Sequence, residues 1–432
     1  MTDDALLSYG QLSVWRDIRG LPRARWHEAN FGARLRVPAD AEYTPAEVTA
    51  AVRALGVRHE SLRTVYATAD PMAPRQLVQP PGVLADIDVA VVECAEDQVN
   101  MLLFGQMQQP FDLSRECSWR ARVVTDGGRP AEVLIVRHHI TADGGSDAFL
   151  EADLRAVLEA GGKAALDAAE PAPNPVPLSE WQHSPARERG RRSTRSHWEK
   201  IFTSDLVSLP RIAPAGPGEQ VLQCMIRSRR AHESAQRLAT RLGVPLPSVV
   251  LAAYTWSVAR VTQTPVVVVD LMSSNRFHQQ WSEIVSSMNQ WAAASFTLPE
   301  HSADDPATHF VDYVRHVQAR GFAAYRHGMY DVDEMADLRE RTWAHGDELY
   351  SVCAFNFIDM PIPATPVTDD PPGGVETAWE QPFHSIGHPC YLRAIDEGAQ
   401  ALTLRLRTKQ IAGATAERVL RGMYELLVAA DG

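Results

Sequence analysis

The stretch DAAEPAPNPVPLSE, residues 167–180, carries four prolines. Proline fixes φ and removes a backbone donor, so so dense a run can extend neither a helix interior nor a sheet ladder. It reads as an extended linker. The chain has 432 residues, more than one ordinary hydrophobic core organises. The proline run therefore marks the expected boundary between two domains, residues 1–170 and residues 171–432.

Both halves alternate strand and helix signals. In the first, Thr44-Pro45-Ala46-Glu47 is a helix start: a capping threonine, proline at the first helical position, and a glutamate to complete a capping box. Val48, Ala51, Val52 and Leu55 then share one helical face. ARVVT (121–125) and AEVLIVRHH (131–139) read as strands joined by the turn sequence DGGRP. Phe149, Leu150, Leu154, Val157 and Leu158 give the following segment a helical stripe that Gly161 ends. In the second half, 265–272, 350–358 and 401–407 read as strands, and 233–243, 247–262, 307–324 and 414–430 as helices. The expected class is α/β, or α+β, in two lobes. The proline-rich and acidic residues 359–376 read as a long surface loop.

Composition removes several function classes. The formal net charge of −12 argues against general nucleic-acid binding. No apolar run approaches the roughly 20 residues of a membrane span. The first ten residues, MTDDALLSYG, lack the basic and apolar regions of a secretory signal, so a cytoplasmic protein is expected. Five scattered cysteines form no CxxC pair, which points to reduced thiols and no structural metal. No GxSxG elbow, phosphate-binding loop or GxGxxG sequence occurs.

The chemistry-bearing feature is RHHITADGGS, residues 137–146, at a strand–loop–helix junction. Successive strand residues point to opposite faces, so His138 and His139 diverge and are poorly placed to chelate one metal. A histidine at a strand end can exchange a proton near neutral pH. Glycine beyond Asp143 permits close substrate approach, and a backbone N–H near a helix start can face an oxyanion. The competing reading makes both histidines buried polar residues and Asp143 a turn residue.

HHITADGGS resembles the HHxxxDG motif of the condensation domains of nonribosomal peptide synthetases and their wider acyltransferase superfamily. Other segments with the same resemblance follow in order: LSYGQLSVW (7–15), RHESLRT (58–64), PFDLS (110–114), SNRF (274–277), IVSSMNQW (284–291) and FNF (355–357), with LSEWQHS and HWEK as weaker echoes. The resemblance covers essentially the whole chain. It implies two chloramphenicol-acetyltransferase-like lobes in a V-shaped pseudo-dimer with a tunnel between them. The first lobe would carry the histidines and the second the crossover segments.

The same resemblance implies roles. His139 would be catalytic, as a general base or by positioning the nucleophile. His138, Asp143, Gly144, Arg63 and Asn289 would support it, with Arg63 as the expected ion-pair partner of Asp143. The implied reaction joins a carrier-bound acyl thioester to an amine, or secondarily a hydroxyl. No cofactor or metal bound by the chain is implied, since the substrates ride on phosphopantetheine. The implied partner is an acyl or peptidyl carrier protein met in trans, the chain itself being a free-standing monomer. Two alternatives stay open: a non-catalytic module that recruits a partner to a carrier, and a CoA-dependent acyltransferase.

Two departures bear on the branch: Gly145 stands where a bulky aromatic is common, and Val285 where the family has glycine. The basic stretch 187–200 reads as a solvated helix face or as a surface that steers an acidic carrier.

Overall fold

A computed structural model describes residues 3–39, 42–160, 171–203, 220–300, 306–342, 353–359, 375–384, 387–388, 390–398, 400–409 and 411–429. The chain packs as two compact units, one of Met1–Arg191 with Ser274–Gln290, the other of Arg192–Ser273 with Trp291–Gly432.

In the first unit, β1 (Asp3–Leu6), β3 (Thr64–Ala67) and β4 (Arg75–Val78) form a small sheet in the order β1-β4-β3. The main sheet has the order β2-β7-β6-β5, from β2 (Asn30–Arg36), β5 (Val89–Glu93), β6 (Trp119–Asp126) and β7 (Arg129–His138). Strands β6 and β7 are the hairpin expected around DGGRP. Its turn needs two positive φ values, and Gly127 (57°) and Gly128 (79°) supply them. Helices α1 (Tyr9–Ile18), α2 (Pro45–Arg58), α3 (Val99–Met107) and α4 (Asp147–Glu159) surround the sheets. Helix α2 starts with the anticipated capping box: Glu47 N–H donates to Thr44 Oγ1 at 3.2 Å, and Thr44 N–H to Glu47 Oε2 at 2.7 Å. Its apolar stripe meets that of α4 and the β-face of Val133, Ile135, Ala121 and Val123 in one core.

The proline run behaves differently from a plain linker. Residues 161–170 lie outside the described residues, and with them Gly161 and the expected boundary at 170. Beyond them, Pro175 takes the first position of helix α5 (Pro175–His183), where its missing N–H costs nothing. That helix is tied to the first unit: Tyr9 N–H donates to Gln182 Oε1 at 2.9 Å and Ser179 Oγ to Leu7 O at 3.2 Å. The compact units consequently divide after Arg191, and residues 274–290 return to the first unit.

The second unit is built on a seven-stranded sheet ordered β10-β9-β11-β13-β14-β8-β12. Its strands are β8 (Leu222–Ser228), β9 (Val266–Ser273), β10 (Gln290–Thr297), β11 (Cys353–Asp359), β12 (Ala378–Trp379), β13 (Cys390–Asp396) and β14 (Leu402–Thr408). Helix α6 (Glu188–Thr203) begins before the division, and α7 (Arg229–Leu242), α8 (Leu246–Thr262), α9 (Pro306–Tyr325), α10 (Val332–Thr342) and α11 (Gly413–Ala429) follow. Helix α8 is apolar nearly all round and buried from Val249 to Ala259, the pattern of a central core helix. The expected loop 359–376 lies outside the described residues except at its ends. Among the described residues, no single helix is long and apolar enough to cross a membrane.

Candidate active site

The histidine pair sits where β7 ends. Strand alternation separates the two rings as the sequence suggested: His138 is fully buried, His139 half-buried. Both backbones are pinned, His138 N–H to Ser118 O (2.9 Å) and His139 N–H to Ala29 O (2.8 Å). The His138 ring accepts the Ile140 N–H at Nδ1 (3.1 Å), which shapes the turn out of the strand. Burial, reinforced by the neighbouring His139, pushes His138 down to about 3, so it stays neutral at working pH.

The imidazole of His139 lies on the ring of Phe31, centroids 4.3 Å apart and planes 24° from parallel. Phe31 comes from β2 and stands directly opposite Arg137 in the ladder. The Arg137 guanidinium lies 4.5 Å from the same ring centroid, is wholly buried, and pairs with Asp147 in the first turn of α4. Burial pushes the Asp147 carboxyl up against the opposing pull of Arg137. A short chain of contacts thus runs from the start of α4 to the half-buried imidazole.

Asp143 is the centre of the loop. It is 0% exposed, and an isolated carboxylate there would be costly. Five donors compensate it. Arg276 grips it bidentately, Nη1 to Oδ2 at 2.9 Å and Nη2 to Oδ1 at 2.7 Å. Ser146 Oγ donates to Oδ1 (3.2 Å), and the N–H groups of Met288 (2.9 Å) and Asn289 (3.2 Å) donate to Oδ2. One buried carboxylate therefore fastens the segment 274–290 to the histidine loop, beside the packing of Val285 in the first unit's core and of Trp281 on Trp181.

The expected partner of Asp143, Arg63, is corrected by this geometry. Arg63 donates Nη1 to Gln79 O (2.8 Å) and pairs Nη2 with Glu60 (3.2 Å), bracing the RHESLRT turn on itself. The rest of that motif fastens α2 to α4: Arg58 Nε and His59 Nε2 both meet Asp153 Oδ2, at 2.8 and 2.7 Å. Asn289 joins the loop through its backbone, and its side chain is half-buried. Gly144 is exposed, with no heavy atom within 4 Å of the place a Cβ would take. At Gly145 the opposite holds, since a Cβ would stand 2.8 Å from Arg276 Nη1. Small size at 145 and the Arg276 grip on Asp143 belong together.

Three further residues emerge from the fold. Arg276 lay in plain view in SNRF, but its partner is 133 positions away in sequence. Phe31 and Arg137 had no local signal, because their meeting depends on the β2–β7 register. The basic stretch is largely engaged internally: Arg187 lies over Trp181 (4.5 Å), Arg191 donates to Gln182 O (2.8 Å) and Ser184 O (2.9 Å), and Arg195 pairs with Glu334. Elsewhere in the first unit, the PFDLS turn borders a cavity of about 560 Å3 whose wall includes Phe111, Cys117, Trp119 and Arg120 but neither histidine.

Comparison with known proteins bears on the family and the fold. A family profile described as "Condensation domain" matches residues 34–357. Tyrocidine synthase 2 of Brevibacillus parabrevis is 25% identical over 299 residues, 68% of this chain but 8% of that protein. The first condensation domain of the CDA synthetase superimposes with a TM-score of 0.73 at 18% identity, over 100% of this chain and 97% of that one. A structure described as showing condensation domain-mediated chain release from the enacyloxin polyketide synthase gives a TM-score of 0.74 at 20% identity, covering 98% and 81%. The fold is accordingly the chloramphenicol-acetyltransferase-like one expected for such domains.

Proposed function

The chain belongs to the condensation-domain family, and from that premise we propose that it joins a carrier-bound acyl thioester to an amine in natural-product biosynthesis. The amine nitrogen attacks the thioester carbonyl. The C–N bond forms, the C–S bond breaks, and the amine's proton leaves as the carrier thiol is released. His139 is the group assigned to that proton or to holding the amine in line for attack, a contribution of about 10²–10⁴ in rate for a positioned acid–base residue. The observation that carries this reading is the half-buried imidazole stacked on Phe31 beside a loop locked by Asp143 and Arg276.

In this reading the electrostatic lock is structural and the reacting group is His139. Gly144, exposed and small, lets the thioester approach the backbone closely. The acyl group arrives on the phosphopantetheine arm of a carrier protein in the cytoplasm, so the reaction draws on no cofactor of the chain's own. The CDA and tyrocidine relatives support this assignment by the systems their names describe. The test is reconstitution with an acyl-loaded carrier and an amine acceptor, with the product measured by mass spectrometry. Wild type is expected to form the amide and His139→Ala to lose at least about a hundredfold in rate. Equal yields from the two proteins would end the catalytic role of His139.

A further inference from the structure

The seven-stranded sheet of the second unit has two unlike faces. On one, Cys224, Ile226, Leu392, Ala394, Leu402, Leu404 and Leu406 are at most 1% exposed and pack beneath the helices. On the other, the alternate positions bring arginines together. The β13–β14 register sets Arg393 directly opposite Arg405, and Tyr391 opposite Arg407. Arg407 follows Arg405 by two residues on the same strand, so the three share a face. Directly opposed residues on one face are neighbours, and like charges there are destabilising.

The trio is under-neutralised. Glu380 is the carboxylate paired with it among the described residues, 3.5 Å from Arg405 Nε and 39% exposed. The buried Arg405 Nε has no hydrogen-bond partner. Glu397, close by, is already held by Arg227 (2.5 Å) and by Thr403 Oγ1 (2.6 Å). The other contacts of the trio are neutral: Arg407 Nε donates to Gln223 Oε1 (2.6 Å), its guanidinium lies 5.1 Å from the Phe383 ring, and Arg393 Nε reaches Tyr391 Oη (3.4 Å). Burial, then Arg393, pushes Arg407 down to about 10.

We propose that Arg393, Arg405 and Arg407 form a binding site for an oxyanion, the carboxylate or phosphate of a ligand. A planar guanidinium matches either group through paired N–H donors, and one anion between the three relieves their mutual repulsion. Gln223 and Tyr391 fix two of the guanidiniums before the ligand arrives. The ligand is an anion held on this face of the second unit, and the site stands independently of the condensation reaction. Among the described residues one half-exposed carboxylate, Glu380, pairs with three arginines on this face, a departure from local charge balance of the kind found where a site awaits its ligand.

The experiment is isothermal titration of the full chain with inorganic phosphate and, separately, with succinate, against a chloride background of matched ionic strength. Binding of phosphate alone identifies a phosphate-bearing group, of succinate alone a carboxylate, and of both an anion read by charge; each supports the site. Arg405→Met and Arg393→Met are expected to weaken binding about tenfold, while the exposed Arg230→Met leaves it unchanged. Each of the two site variants melts at or above the wild-type temperature without ligand, because a repulsion has gone, so weaker binding is not unfolding. No binding of either ion, or wild-type affinity in both site variants, overturns the proposal. His139→Ala should bind the anion like wild type. Absence of condensation by the wild type, with anion binding intact, counts against the reaction and not against the site.

Discussion

Replacing Asp143 tests the buried lock most directly. Asp143→Ala removes the acceptor of two Arg276 bonds, one serine bond and two backbone bonds, and leaves a guanidinium that is 10% exposed. Stranding one member of a buried pair costs about 3–5 kcal/mol. Arg276→Met leaves the carboxylate with Ser146, Met288 and Asn289 as donors, so its cost falls at the lower end, about 3 kcal/mol. The double variant strands no charge, only the neutral donors of Ser146, Met288 and Asn289, and its cost should fall short of the sum by about 2–3 kcal/mol, the upper part of the range for contacting pairs. Urea unfolding measures the four stabilities. Hydrogen exchange over 284–290 reads the lock locally, since the Met288 and Asn289 amides donate to Asp143 and should lose protection in Asp143→Ala. The companion cycle pairs Asp143→Ala with Arg63→Met, which should be additive within about 0.5 kcal/mol because the two side chains have separate partners. A coupling to Arg276 below about 0.5 kcal/mol, or a larger one to Arg63, would refute the assignment.

His138 makes stability pH-dependent. Its folded value near 3 lies below the ordinary 6.5, so its contribution is complete above pH 6.5 and is lost as pH falls toward 3. By about pH 5 the loss is about 2 kcal/mol, and His138→Gln should flatten that part of the urea-derived profile; an unchanged slope would count against a neutral buried ring. A Cβ at Gly10 would stand 2.2 Å from Ser287 O, a backbone atom that cannot swing aside. Gly10→Ala should therefore destabilise by about 1–3 kcal/mol, and a melt within error of wild type would show that the α1 contact yields freely. Gly145→Val presses on Arg276 and should cost about 1–3 kcal/mol. In an Arg276→Met background the added cost should shrink, and an undiminished cost would place the clash elsewhere.

Local chemistry was legible in this chain wherever neighbours in sequence are neighbours in space. The Thr44–Glu47 box, the paired glycines of the β6–β7 turn and the apolar stripes of α2 and α4 need only a few adjacent residues, so their elements could be read directly. The divergence of His138 and His139 follows from strand alternation alone, and only a fold could show which ring is fully buried. The proline run shows the limit of local reading. It forbids a continuous helix, yet Pro175 suits a helix start, and the packing of α5 on β1 and Tyr9 decided where the units divide.

The sequence by itself determined the two α/β halves, the strand–loop–helix junction and the residue types of the histidine loop. Tertiary structure alone chose Arg276 over Arg63 for Asp143. Both are arginines in resembling motifs, and nothing within either motif reports which will reach a carboxylate that lies far along the chain. It alone laid His139 on Phe31 and set Arg393 against Arg405, because strand register is settled by the burial of a whole sheet face and not by the residues that meet across it.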